Sequence, residues 1–162
     1  GSSKQREALV GVEPRDAVER LKDGLAQLAP QAASRNVVVL LEPLAPHLCN
    51  VIHTLDEAVA IVREVRSPGL QTILDSHNTA AEKQSLDELI GRHLPHIRHV
   101  HLNEMDGRRP GAGKFPFAAM LASLARRGYR GWLSVEVFDL EPDGETVARQ
   151  SLEYLRGVAS DR

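Results

Sequence analysis

The sequence predicts an α/β fold of four parallel strands alternating with helices, with material for half of a (β/α)8 barrel. Three observations carry this. Four short apolar runs, residues 37–44, 70–78, 97–104 and 131–138, are separated by amphipathic stretches, the pattern of a parallel sheet covered by helices. Each run finishes on a group able to bind a metal: Glu42, Asp75, His101 and Glu136, which stand 33, 26 and 35 residues apart along the chain. Such spacings suit repeated βα units. The chain has 162 residues, whereas a complete eightfold barrel typically uses about 250.

The elements follow in order. Gly1-Ser2-Ser3 reads as a cloning scar and is set apart from the fold, so the half-barrel domain covers 4–162. Ala8 to Val12 is expected to be the tail of a strand. Pro14 suits the first turn of a helix, and Val18, Leu21, Leu25 and Leu28 recur at helical spacing up to about Ser34. The first clear strand comes next. Thr54 and Glu57 have capping-box spacing and open a helix that turns Ala58, Ile61, Val62 and Val65 inward. Ser67-Pro68-Gly69 stops it, and the second strand follows. Ser85 and Glu88 form a second capping box, for a helix with Leu89, Ile90 and Leu94. The third strand leads into a polar, glycine-rich loop over 103–114. Pro116 starts a helix with Met120, Leu121 and Leu124, ended by Gly128. The fourth strand and a closing helix over 147–158, with Leu152 and Leu155, complete the chain.

Composition bounds the function. Apolar residues make up 42% and charged ones 26%, as in ordinary globular proteins. A net charge of −2 gives no electrostatic footprint for nucleic acid or an anionic membrane. No apolar run approaches the roughly 20 residues of a membrane helix. A single cysteine, Cys49, cannot form an internal disulfide, so a reducing cytoplasm is the expected compartment and a small apolar filler the expected role.

The site follows from the alternation of side chains along a strand. Val38, Leu40 and Glu42 share one face, as do Ile73 and Asp75, His99 and His101, and Trp132, Ser134 and Glu136. In one parallel sheet the four C-terminal ends lie side by side, so three carboxylates and one imidazole converge. Like charges so close repel unless a cation holds them. Three oxygen donors and one imidazole suit Mn²⁺ best, with Mg²⁺ or Co²⁺ as alternatives; a structural zinc site would favour thiolates. A cation there acidifies the C–H beside the carbonyl of a bound hydroxy-ketone, and one carboxylate can remove the proton while another returns one through an enediolate.

Four stretches together resemble the xylose isomerase-like sugar isomerases and epimerases: Leu41-Glu42-Pro43-Leu44, Leu74-Asp75-Ser76-His77-Asn78, His99-Val100-His101-Leu102-Asn103-Glu104 and Val135-Glu136-Val137-Phe138. Pro110-Gly111-Ala112-Gly113 and Gly128-Tyr129-Arg130-Gly131 extend the likeness, which runs from about Val12 to the end. The resemblance implies a TIM barrel of which this is the C-terminal half: helix 4, then units 5 to 8. It implies Glu42, Asp75, His101 and Glu136 as ligands of one divalent metal, with Glu42 and Glu136 doubling as the acid–base pair. It further implies a small carbohydrate or hydroxy-ketoacid as substrate. Ketose epimerases of this family carry a His three residues after the Asp, where this chain has Asn78 with His77 beside it. They carry an Arg six residues after the His ligand, where this chain has Gly107 with Arg108 beside it. His77, Asn78, Glu104 and Arg108 are therefore the expected substrate contacts.

Other functional classes stand beside this one. A phosphodiesterase of the apurinic endonuclease type shares the barrel but calls for more histidine ligands and a basic face. A non-catalytic half-barrel would have two open sheet edges, which invite self-association. The expected partner is accordingly a second copy of the chain or a missing N-terminal half-barrel. Among the remaining side chains, His99 is expected to be a satisfied core histidine and Trp132 a core residue. His93 and His96, at a helix end, and His47 and His53, in the loop after the first strand, are expected to face solvent.

Overall fold

A computed structural model of the chain describes residues 7–160; the expected cloning scar at 1–3 lies outside the described residues. Four strands form one sheet: β1 (Val39–Leu41), β2 (Leu70–Asp75), β3 (Ile97–Leu102) and β4 (Trp132–Val135). All neighbours are parallel and the order is β1-β2-β3-β4, the uninterrupted order that successive βα units give. Five helices accompany them: α1 (Pro14–Ala33), α2 (Leu55–Val65), α3 (Leu86–His93), α4 (Phe117–Arg126) and α5 (Gly144–Ser160). The fold is the α/β half-barrel that the sequence predicts.

Local sequence sets the helix starts. In α2 the Thr54 side chain accepts the Glu57 N–H while the Glu57 carboxylate accepts the Thr54 N–H, a full capping box; Ser85 and Glu88 repeat it in α3. At α5 the Asp143 carboxylate accepts the Thr146 N–H at 2.8 Å. Helix α1 buries Leu25, Ala29 and Ala32, so its inward stripe misses Leu28, which recurs at helical spacing but is exposed. Gly69 lies against α1: a Cβ there would run into the Ala29 carbonyl, so a glycine lets the turn before β2 approach the helix.

Two apolar clusters bind helices to sheet. Leu41 and Leu70 meet Leu25, Ala29, Ala58 and Val62. Leu74, Val100 and Leu102 meet Leu89, Ile90, Phe117, Met120 and Leu124. Side-chain alternation puts Leu40, Ile73, His99 and Ser134 on the opposite face, together with the four strand-end ligand candidates.

Three expectations give way. Ala8 to Val12 form a turn around Gly11, at φ 82°, with Leu9 and Val10 exposed, so there is no strand there. The strand at 70–78 stops at Asp75 and passes into a 3-10 turn over His77–Ala81. Trp132 is 77% exposed. It stands on the last strand, where no further strand among the described residues covers it. Val37, Val38 and Leu133 are likewise exposed near the two free edges. No helix among the described residues is long and apolar enough to cross a membrane.

Candidate metal centre

Four chain segments deliver the four ligand candidates. Asp75 is the last residue of β2, and the ladder pairs it directly with His101 of β3. Glu42 follows the end of β1 and Glu136 the end of β4; the Glu136 N–H donates to the Leu102 carbonyl at 3.3 Å, which carries the register past the strand end. One ligand atom from each of the four lies within 4.8 Å of every other. His101 Nδ1 faces Glu136 Oε2 at 2.8 Å and Glu42 Oε1 at 3.7 Å. That nitrogen is buried and has no partner in hydrogen-bond geometry.

The electrostatics are those of a crowded anionic site. Burial, with the Glu42 charge, pushes the Asp75 carboxyl up to about 7, against the His77 N–H that favours its ionised form. The Glu42 carboxylate foremost, with Glu136 and Asp75, raises the His101 imidazole above its ordinary value, against burial. Such a set holds protons in place of a cation. A hard divalent ion fits it on two counts: three oxygen donors with one imidazole, and a buried ring nitrogen lacking a hydrogen-bond partner.

A buried polar layer sits beneath. The Ser76 hydroxyl donates to the Asn103 carbonyl at 2.7 Å and accepts the Asn103 N–H at 2.9 Å, locking the ends of β2 and β3 together. The His77 N–H donates to Asp75 Oδ1 at 2.9 Å and lies 3.0 Å from Asn103 Oδ1. Ser76 and Asn103 are fully buried. Sequence reasoning gave them no role, because their hydrogen bonds join positions 27 residues apart.

The four expected substrate contacts fare differently. The buried His77 ring places Nδ1 3.1 Å from the Glu104 carbonyl. A carbonyl only accepts, so Nδ1 carries a hydrogen and donates to it. Asn78 is spent on protein groups: its Nδ2 donates to Asp75 Oδ2 at 2.8 Å, and its Oδ1 accepts the Ala45 N–H at 2.9 Å. The Glu104 side chain is buried and accepts from Gly111 N–H at 3.1 Å and Phe115 N–H at 2.9 Å. The glycine-rich loop wraps this carboxylate, which anchors it. Arg108 is exposed and paired with Asp106 at 2.7 Å.

The other histidines divide. His99 Nε2 lies 2.8 Å from the Ser134 hydroxyl, so the ring has a partner as expected, but it is half-buried on the open face of the sheet and not in the core. His93 was expected in solvent but is 2% exposed, because the end of α3 packs under α2 with Asp56 3.3 Å from Nε2. His96 is half-buried, with Nδ1 3.3 Å from Gln71. His53 is half-buried too, its Nδ1 3.0 Å from the Leu44 carbonyl. His47 is exposed, edge-on to the His77 ring. Cys49 is buried, as expected of a filler.

Comparison with known proteins bears on the fold and the family. Residues 3–158 match the family model described as xylose isomerase-like TIM barrel. Fructoselysine 3-epimerase of Escherichia coli O157:H7 is 28% identical over 147 residues, 86% of this chain and 53% of its own length. The 3-dehydro-D-guloside 4-epimerase of Escherichia coli K12 is 29% identical over 136 residues, 84% and 52%. Among solved structures, the E. coli 3-keto-D-glucoside 4-epimerase superposes with a TM-score of 0.84 at 26% identity, covering 91% of this chain and 56% of that one. The chain thus spans about half the length of the relatives it matches. With four parallel βα units and a family match along nearly its whole length, the chain belongs to the xylose isomerase-like TIM barrel family.

Proposed function

We propose that this chain carries the cation-binding and proton-transferring side of a sugar epimerase or isomerase. A second half-barrel, from a longer polypeptide or from another copy, would complete the site. The observation that carries the reading is the convergence of Glu42, Asp75, His101 and Glu136 within 4.8 Å from four successive strand ends. A divalent cation, Mn²⁺ foremost and Mg²⁺ or Co²⁺ as alternatives, would polarise a substrate carbonyl and acidify the neighbouring C–H. The relatives named above are sugar epimerases by name, which makes a small sugar or hydroxy-ketoacid the proposed substrate class.

The chain's own residues divide the work by position. Glu42 and Glu136 stand at the two outermost strands and keep 26% and 39% of their side chains exposed. One can take a proton from one face of a substrate and the other can return one. Asp75, buried and hydrogen-bonded at both oxygens, holds rather than transfers. His77, through the ring nitrogen not turned to the Glu104 carbonyl, and the exposed Arg108 are the proposed substrate contacts on this half. One cluster of this kind occurs among the described residues, which favours this reading over a multi-metal phosphodiesterase. Titration calorimetry tests the site: Mn²⁺ should bind the folded parent and bind Asp75→Asn at least about tenfold more weakly. Equal affinity in the two proteins would remove Asp75 from the site.

A further inference from the structure

We infer that Asn78 is a positioning residue that holds the Glu42 and Asp75 carboxylates in a cation-ready arrangement, an inference that builds on the cation site proposed above. Its side chain is 7% exposed, and both ends of its amide are engaged. Oδ1 accepts the Ala45 N–H at 2.9 Å. A backbone N–H can only donate, so this contact fixes which way the amide faces. Nδ2 is thereby turned to the carboxylates. It donates to Asp75 Oδ2 at 2.8 Å and reaches Glu42 Oε1 at 3.4 Å.

One amide therefore ties the ligand at the end of β2 to the ligand after β1 and to the turn that follows it. The other Asp75 oxygen takes the His77 N–H at 2.9 Å, so both oxygens of this ligand are oriented before any cation arrives. Each carboxylate has about four lone-pair sites, and these bonds leave some of them for an ion. The arrangement singles out asparagine. Aspartate would keep the Ala45 contact but set a bare oxygen against two carboxylates, and alanine would remove all three contacts at once.

The test uses the full 162-residue chain as parent, Asn78→Ala and Asn78→Asp. Calorimetry with Mn²⁺, the EPR line shape of the bound ion and melts of the cation-free proteins are the readouts. Asn78→Ala should bind Mn²⁺ about 10- to 100-fold more weakly, the range for groups that orient metal ligands. Asn78→Asp, unchanged in size, should alter the EPR line shape. A mere loop tie would lower the melting temperature and leave affinity and line shape as in the parent, which overturns the inference. Should Asn78→Ala fail to fold, Asn78→Asp decides, and a parent-like spectrum and affinity overturn it. Absence of Mn²⁺ binding by the folded parent overturns the site itself and this inference with it. The parent's own binding thus separates the two failures.

Discussion

His101 Nδ1 and Glu136 Oε2 lie 2.8 Å apart, with Glu42 Oε1 a further contact of the same nitrogen at 3.7 Å. An imidazole so placed holds a proton beyond its ordinary range, and Asp75, pushed up to about 7, does the same one strand away. Both shifts favour a bound proton, so a cation entering this site competes with protons for the same groups.

A pH dependence follows, with a definite sign. A carboxyl whose folded pKa is raised binds a proton in the folded chain that the unfolded chain has already released. Its stabilising effect is present at low pH and is lost as pH rises from about 4 to about 7. His93, His96 and His99 are shifted down by burial and act in the opposite sense, so the parent alone gives a mixed profile. The difference between parent and Asp75→Asn reports the carboxyl together with its coupling to Glu42 and His101. Without cation, Asp75→Asn should gain on the parent across that window, by several degrees of melting temperature at roughly 2–4 °C per kcal/mol. Saturating Mn²⁺ should reverse the order at pH 8. A cation-free difference that stays flat or shrinks with rising pH would show that the folded chain does not hold the Asp75 carboxyl protonated.

Association is the second expectation. Strands β1 and β4 each leave one edge unpaired among the described residues, and Val37, Val38, Trp132 and Leu133 are exposed at or next to those edges. Open parallel edges with apolar flanks recruit another chain. The isolated chain should sediment as a dimer or larger at micromolar concentration, and Leu133→Lys should weaken that association about tenfold or more, the cost of a charge set against an apolar contact worth at least 1.4 kcal/mol. A monomer with a cooperative melt would contradict the half-barrel account of these edges.

Two stability changes separate local from tertiary causes. Phe117 is fully buried at the start of α4, in the larger cluster, and Phe117→Ala should cost about 3–5 kcal/mol. Thr54→Ala removes half of a capping box and should cost about 1 kcal/mol. Urea denaturation of the assembled protein reads both, and comparable costs would mean that the core is less tightly packed than its burial implies.

What the sequence made legible was local or periodic. Both capping boxes needed only a three-residue spacing. The four ligand positions stood out because each charge ends an apolar run, and a parallel sheet brings such ends together. What it hid depended on distant partners. The burial of His93 comes from α2, the loop that occupies Glu104 closes from seven to eleven residues further on, and Asn78 meets Ala45 across 33 residues. Trp132 failed for another reason. Its apolar run reads as buried, but its cover is not among the described residues.

The last expectation concerns the proton itself, and it applies to the assembled barrel. Glu42 and Glu136 approach the cluster from the outermost strands and are its most exposed carboxylates, whereas Asp75 is buried with both oxygens occupied. If Glu136 moves the substrate proton, Glu136→Gln should abolish metal-dependent deuterium uptake from D₂O into a ketose or hydroxy-ketoacid. Loss of general acid–base catalysis alone should lower turnover about 10²–10⁴-fold. NMR locates the label: at C3 for a 3-epimerase, at C1 or C2 for an aldose–ketose isomerase. Because Glu136 is also a proposed ligand, Mn²⁺ content must be measured in the same samples, and the loss of uptake must persist at saturating Mn²⁺. Turnover without uptake in the parent would leave a shielded base that returns the same proton. Full turnover by Glu136→Gln at saturating Mn²⁺ would exclude Glu136 as the base, since glutamine can neither take nor return a proton at that position.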